Sequence, residues 1–122
     1  MTLLFWMAWR MTTLTTPERY GIYFADLNPT IGSEINKIRP VVIISEDEMN
    51  TYLETVVICP LTSKLHPEWR TRLQIDCAGK QAEVAVDQIR TISKKRLRQK
   101  IDQLSVSQCP QLRRIITEMY GE

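Results

Sequence analysis

Short runs of β-branched and aromatic residues, each closed by turn-forming residues, recur along this chain and limit what it can fold into. They are Ile22–Leu27, Val41–Ile44, Thr55–Cys59, Thr71–Asp76, Ala82–Val86 and Gln88–Ile92. Ala78-Gly79-Lys80 reads as the tight connection of a hairpin. Strands this short, with turns between them, predict a small antiparallel barrel or sandwich. The main helical signal comes late. Leu112, Ile115, Ile116 and Met119 recur on one helical face, and Gly121 follows as a stop. Ser105-Val-Ser-Gln108 fits a capping box; with Ser107 as the N-cap instead, Pro110 falls in the first turn, where its missing N–H costs little. A short helix is expected over Glu46–Tyr52 and a single turn over Ser93–Leu97.

A chain of 122 residues, 43% of them hydrophobic, has the size and composition of one domain with a buried core. Its net charge of +2 neither demands nor excludes a nucleic-acid partner. Cys59, Cys77 and Cys109 show no Cys-x-x-Cys spacing, and His66 is the one histidine, which argues against structural zinc and for a reducing compartment. Cys59 and Cys77 are expected to serve as small buried hydrophobes. The apolar run Leu3–Trp9 is far shorter than the roughly 20 residues that span a bilayer, and it lacks the flanks of a secretory signal. Two readings of it stay open: an extension ahead of a start at Met11, or a hydrophobic arm packed on the domain or a neighbour. The polar β-branched stretch before Glu18, with Pro17, reads as a linker, so residues 1–18 are expected to be extension and linker, and residues 19–122 the domain.

The loop from Asn28 to Pro40 is unusually long for a link between neighbouring strands. Loops of about a dozen residues inside a compact domain are usually functional or disordered, and Gly32 with Pro29 and Pro40 favours defined backbone geometry over disorder. This loop carries a carboxylate, Glu34, and a guanidinium, Arg39. Scattered carboxylates and a single histidine offer no metal-ligand pair, and a triad would rest on His66 alone, in a loop that reads as solvent-facing. An Arg, Glu and hydroxyl set suits metal-free work on phosphates. RNA cleavage needs a base for the 2′-hydroxyl proton, positive charge for the phosphorane and a donor near the leaving oxygen. Glu34 fits the base; Arg39 is a poor proton donor but a good fork for phosphate oxygens. From spacing alone, a loop-stapling ion pair fits Glu34 and Arg39 equally well. Thr62 and Ser63 read either as strand-end turn residues or as hydroxyl donors in a phosphate site. The basic run of Lys94, Lys95, Arg96, Arg98 and Lys100 reads as a solvated face or as phosphate contacts. Trp69 either caps the core or stacks an unpaired base.

Tyr23-Phe-Ala-Asp26, Pro29-Thr-Ile-Gly-Ser-Glu34, Arg39-Pro-Val-Val-Ile-Ile-Ser45, Pro60-Leu-Thr62 and Asp87-Gln-Ile-Arg-Thr-Ile92 follow one another in an order that resembles the MazF/PemK toxins. The resemblance covers about residues 19–120. It implies an α+β chain: a small SH3-like antiparallel β-barrel with short helices and a C-terminal α-helix. It also implies a cytoplasmic, metal-independent, sequence-specific endoribonuclease of a toxin–antitoxin pair, needing no cofactor. Such toxins are homodimers that hold single-stranded RNA across the dimer interface, and a MazE/PemI-like antitoxin covers the RNA groove.

By the same resemblance Arg39 matches the catalytic arginine, Thr62 the active-site threonine, Glu34 the glutamate of the Gly-Ser-Glu loop, and Asp87 an aspartate assigned to catalysis in the Kid branch. The expected RNA-binding set is Asn28, Thr30, Ser33, Ser63, Lys64, Trp69, Asp87 and Gln88. Three positions depart from the pattern. Ile35 stands where many relatives have glutamine, Tyr20-Gly21 where a Gly and an acid usually open the first strand, and Ala85 where the Kid branch has a second arginine two residues before the aspartate. Two other readings belong to different classes: a non-enzymatic CcdB-like toxin that binds DNA gyrase, and an SH3-like interaction module with a degenerate site.

Overall fold

The computed structural model describes residues 16–28 and 38–121. Its strands are β1 (Gly21–Asp26), β2 (Ile38–Ile43), β3 (Thr55–Thr62), β4 (Arg72–Cys77), β5 (Lys80–Ala85), β6 (Arg90–Ser93) and β7 (Leu97–Gln103). Helix α1 (Asp47–Tyr52) lies between β2 and β3, and α2 (Gln108–Tyr120) closes the chain; 3₁₀ turns occupy Val86–Gln88 and Lys94–Arg96. The strands run antiparallel in the order β4-β5-β3-β2-β1-β7, with β6 added to β3, and curl into a half-barrel.

Pro60 explains how β3 serves three neighbours. On one edge β3 pairs β2; on the other, Thr55 to Ile58 pair β6, and Leu61 and Thr62 pair β5. Cys59 and Pro60 fall in the gap between those two ladders. A residue with no N–H is tolerated inside a sheet only where such a bond is not needed.

Alternation along the central strands gives them two buried faces. Ile22, Val42, Cys59 and Leu61 enter one core cluster with Leu73, Ile75 and Val84, capped by Leu112 of α2. Ala25, Val41, Ile43, Val56 and Ile58 form a second cluster on the opposite face. The expected helical stripe holds: Leu112 is fully buried, and Ile115, Ile116 and Met119 pack against the first cluster. Helix α2 starts after Ser107, so Pro110 is its third residue, where no intrahelical N–H bond is lost. Ser105 joins the turn through its carbonyl, which accepts from the Gln108 and Cys109 N–H groups at 3.0 and 3.2 Å; its hydroxyl donates to the Gln108 side chain at 3.0 Å instead of capping the backbone.

The β4–β5 hairpin turns through Ala78 (φ 50°) and Gly79 (φ 84°), both left-handed, as a two-residue turn matching strand twist requires. The Ala78 N–H donates to Asp102 of β7 at 2.7 Å, so the hairpin tip touches the far end of the strand order. Strand β7 is a departure from the sequence reading, which saw there only a basic run. Among the described residues it is an edge strand paired only with β1, and its polar residues give no alternation to read.

Candidate functional site

The register of the sheet lines up the residues that matter on the face away from α2. Gln74 of β4 is opposite Glu83 of β5, and Glu83 is opposite Thr62 of β3. Directly paired residues share a face, so these side chains form a row across three strands. The β2–β3 ladder ends at Val41 and Pro60. Arg39 lies two residues before Val41 and Thr62 two residues after Pro60, so each stands the same distance past the ladder's last pair. On its other side the half-buried Arg39 is paired with Ala25. Two residues 23 apart in sequence thus both lie close to the end of one ladder.

Thr62 meets its reading as a strand-end turn residue. Its hydroxyl oxygen accepts from the Lys64 N–H at 3.1 Å, a turn-forming bond that starts the β3–β4 loop. That bond does not use the hydroxyl proton, which is what a phosphate oxygen would take. Ser63, Lys64 and Trp69 stand on this loop and are exposed.

Behind Thr62 lies a charged network centred on a glutamate that the sequence reading passed over. Glu83 is fully buried and accepts from the His66 N–H and the Gln74 amide, both at 2.7 Å, and from Arg72. Arg72 also binds Asp87, Nε to Oδ1 at 2.8 Å and Nη2 to Oδ2 at 3.4 Å. Burial pushes the Glu83 carboxyl up, but the His66, Gln74 and Arg72 hydrogen bonds and the Arg72 charge more than offset it and hold it below the ordinary 4.5. Asp87 behaves alike: burial raises it, while hydrogen bonds from Arg72 and Thr71 bring it below the ordinary 3.8. Both stay carboxylates near neutral pH. The signal for Glu83 was present in the sequence: in Ala82–Val86 the even positions are apolar, which puts Glu83 on the same side as Ala85, away from the first core cluster.

Arg72 also lies 4.6 Å over the Trp69 ring, and the His66 ring stacks on Trp69 at 3.9 Å with an interplanar angle of 9°. The expectation of a solvent-facing His66 therefore changes: it is half-buried, with its ring on Trp69 and its N–H on Glu83. Cys59 and Cys77 are buried as expected, and burial with the nearby Asp87 charge pushes the Cys59 thiol up to about 12.

Much of the basic run is committed to the fold. Lys94 caps α1, donating to the Asn50 and Leu53 carbonyls at 2.6 and 2.9 Å. Arg96 donates to the carbonyls of Asp26 and Asn28, Arg98 faces the Asp26 carboxylate at 3.9 Å, and Lys100 pairs with Glu18. Arg96 thereby ties down Asn28, whose own N–H binds Asp26 Oδ1 at 3.0 Å. Gln88 ends the 3₁₀ turn that begins after β5, one residue beyond Asp87. Thr30, Ser33 and Glu34, with Gly32 and Ile35, lie outside the described residues. Among the described residues no group of three His, Cys, Asp or Glu side chains is placed to hold a metal ion, and no helix is long and apolar enough to cross a membrane. A guanidinium and a hydroxyl near one ladder end, as Arg39 and Thr62 are, are groups that can hold a phosphate and stabilise charge that develops on it.

The sequence model of the PemK-like, MazF-like toxins of type II toxin–antitoxin systems matches residues 18–120. Among solved structures, the Mycobacterium tuberculosis toxin MazF-mt6 is 25% identical, with a TM-score of 0.71 over 82% of this chain and 95% of that one. MazF from Deinococcus radiodurans has the same fold at 17% identity, with a TM-score of 0.77 over 88% of this chain and 98% of that one. A mycobacterial endoribonuclease in complex with its cognate antitoxin is 20% identical, with a TM-score of 0.73 over 86% of this chain and 95% of that one.

Proposed function

The chain belongs to the PemK-like, MazF-like toxins of type II toxin–antitoxin systems, and from that membership we propose that it is a metal-independent, sequence-specific endoribonuclease acting on single-stranded mRNA. The observation that supports the proposal is the position of Arg39 and Thr62, each two residues past the last pair of the β2–β3 ladder, with Thr62 paired to the buried Glu83. Arg39 stabilises the charge that grows on the phosphorane, and the Thr62 hydroxyl donates to a phosphate oxygen. Glu34 takes the proton of the attacking 2′-hydroxyl. Asp87, locked to Arg72, stays ionised and lines the RNA path without moving a proton. Asn28, Thr30, Ser33, Ser63, Lys64, Trp69 and Gln88 line that path with it.

The reaction leaves a 2′,3′-cyclic phosphate and a 5′-hydroxyl. A homodimer presents the RNA groove, and a cognate antitoxin blocks it in the cytoplasm; the antitoxin complex of the mycobacterial relative supports this partner. Incubating the purified chain with a long RNA in EDTA tests the proposal. Discrete cuts with cyclic-phosphate ends, blocked by deoxyribose at the cut position, are expected. Products with 5′-phosphates, or cleavage that stops in EDTA, would overturn the mechanism. No cleavage at all would return the chain to the gyrase-binding or interaction-module readings.

A further inference from the structure

The stacked His66 and Trp69 rings are held by residues that do not reach the surface, and this points to a built element. Glu83 is fully buried, yet it grips the loop above it through the His66 N–H. Arg72, 7% exposed at its side chain, lies against Trp69 while binding Glu83 and Asp87. Two backbone bonds tighten the same segment: Trp69 N–H to the His66 carbonyl at 3.0 Å and Arg72 N–H to the Trp69 carbonyl at 3.3 Å. Trp69 nevertheless remains 43% exposed in a polar loop.

Stability alone is a weak account of this arrangement. A buried ion pair is often no better for stability than apolar residues of the same volume, and a half-exposed tryptophan adds little burial for its size. What the network does provide is one fixed orientation for an aromatic surface that begins four residues beyond His66's strand-end neighbour Thr62. Aromatic side chains stack on unpaired bases whatever their identity, and shape around the stack supplies preference. A surface held rigid before binding loses less freedom when the base arrives.

We propose that Glu83 and Arg72 are positioning residues for base selection, holding the Trp69–His66 stack as the subsite for one unpaired nucleobase of the RNA next to the cut. This rests on the endoribonuclease reading above.

The test is cleavage mapping across a transcript pool with the full chain, at a temperature where each variant is folded. Trp69→Ala is expected to lose about tenfold of the discrimination at one nucleotide position flanking the cut, as for one lost base–aromatic contact. Glu83→Gln should lose discrimination at the same position while preferences elsewhere in the site persist. The double variant should discriminate no worse than Trp69→Ala alone, because both changes act on one element. If Glu83→Gln does not fold, Arg72→Lys, which keeps the charge but loses the planar fork, is expected to give the same loss. Unchanged preference in Trp69→Ala, or additive losses in the double variant, would overturn the proposal while leaving the endoribonuclease reading in place. Wild-type protein that cuts no RNA would overturn both.

Discussion

Arg72 and Ala85 are cross-strand partners in the β4–β5 hairpin, and from that position the Arg72 guanidinium reaches Asp87, two residues further along the chain. The small Ala85 side chain leaves that space open. Where the Kid-branch pattern implies an arginine two residues before the aspartate, this chain brings one to Asp87 from β4. A departure that looks like a lost pairing in one dimension is a relocated pairing in three.

Removing Arg39 or Thr62, the proposed phosphate-binding residues, should separate activity from folding. Arg39→Ala is expected to abolish detectable cleavage, and Thr62→Val to lower the rate about a hundredfold, as for the loss of one transition-state donor. Thr62→Ser should keep most of it. Single-turnover cleavage of a defined oligonucleotide, with circular dichroism confirming the fold, checks all three; full cleavage by Arg39→Ala would remove Arg39 from the reaction.

Breaking the buried network from one side should cost more than replacing it. Glu83→Ala leaves the buried Arg72 with Asp87 alone and the His66 N–H and Gln74 amide without their acceptor, and is expected to cost about 3 kcal/mol, whereas Glu83→Leu combined with Arg72→Met should recover part of that loss. Urea unfolding of the single and double variants measures the difference. Equal losses in both would mean that the charges themselves stabilise the fold.

Acid should weaken the fold through the same groups. Glu83 and Asp87 are held below their ordinary values of 4.5 and 3.8 in the folded chain. Their contribution is therefore complete above those ordinary values and is lost as pH falls through the depressed folded ones. Stability measured from pH 6 downward should fall from about pH 4.5, and the fall should be shallower in the Leu and Met double variant.

Ala78 holds a left-handed backbone (φ 50°) while its N–H binds Asp102. Ala78→Gly keeps that bond and removes the steric cost, for a gain of about 0.5–1 kcal/mol after the added freedom of the unfolded chain. A rise in melting temperature is the expected result; a fall would show that the alanine methyl makes a contact worth more than the strain.

Cys59 should resist alkylation in the native protein. It is buried, and its thiol is pushed up to about 12, so almost no thiolate is present at neutral pH. Mass spectrometry after brief iodoacetamide treatment should find Cys59 unmodified until the chain is unfolded in denaturant. Prompt native labelling would contradict its buried place between the two outer ladders of β3.

Most of the strands were legible from the sequence because half of each one is buried and its side chains alternate. Helix α2 was legible because Leu112, Ile115, Ile116 and Met119 face one core cluster. Strand β7 was not, since an exposed edge strand of charged residues carries no alternation. The basic run shows the same limit from the other side. Lys94 and Arg96 look like surface charges in sequence, yet they bind carbonyls at the end of α1 and after β1. Backbone acceptors have no residue code.

The sequence by itself determined most of the element types, the family and the choice of Arg39 and Thr62 as the residues to watch, because local periodicity and ordered motifs are one-dimensional properties. Only the tertiary structure decided that Arg39 and Thr62 both lie just past the end of the β2–β3 ladder, that Glu83 is a buried clasp beside Thr62, and that Asp87 takes its partner from β4. Those are facts of register, and register is set by which strands pair across the sheet, where a shift of one residue would turn each of these side chains to the other face.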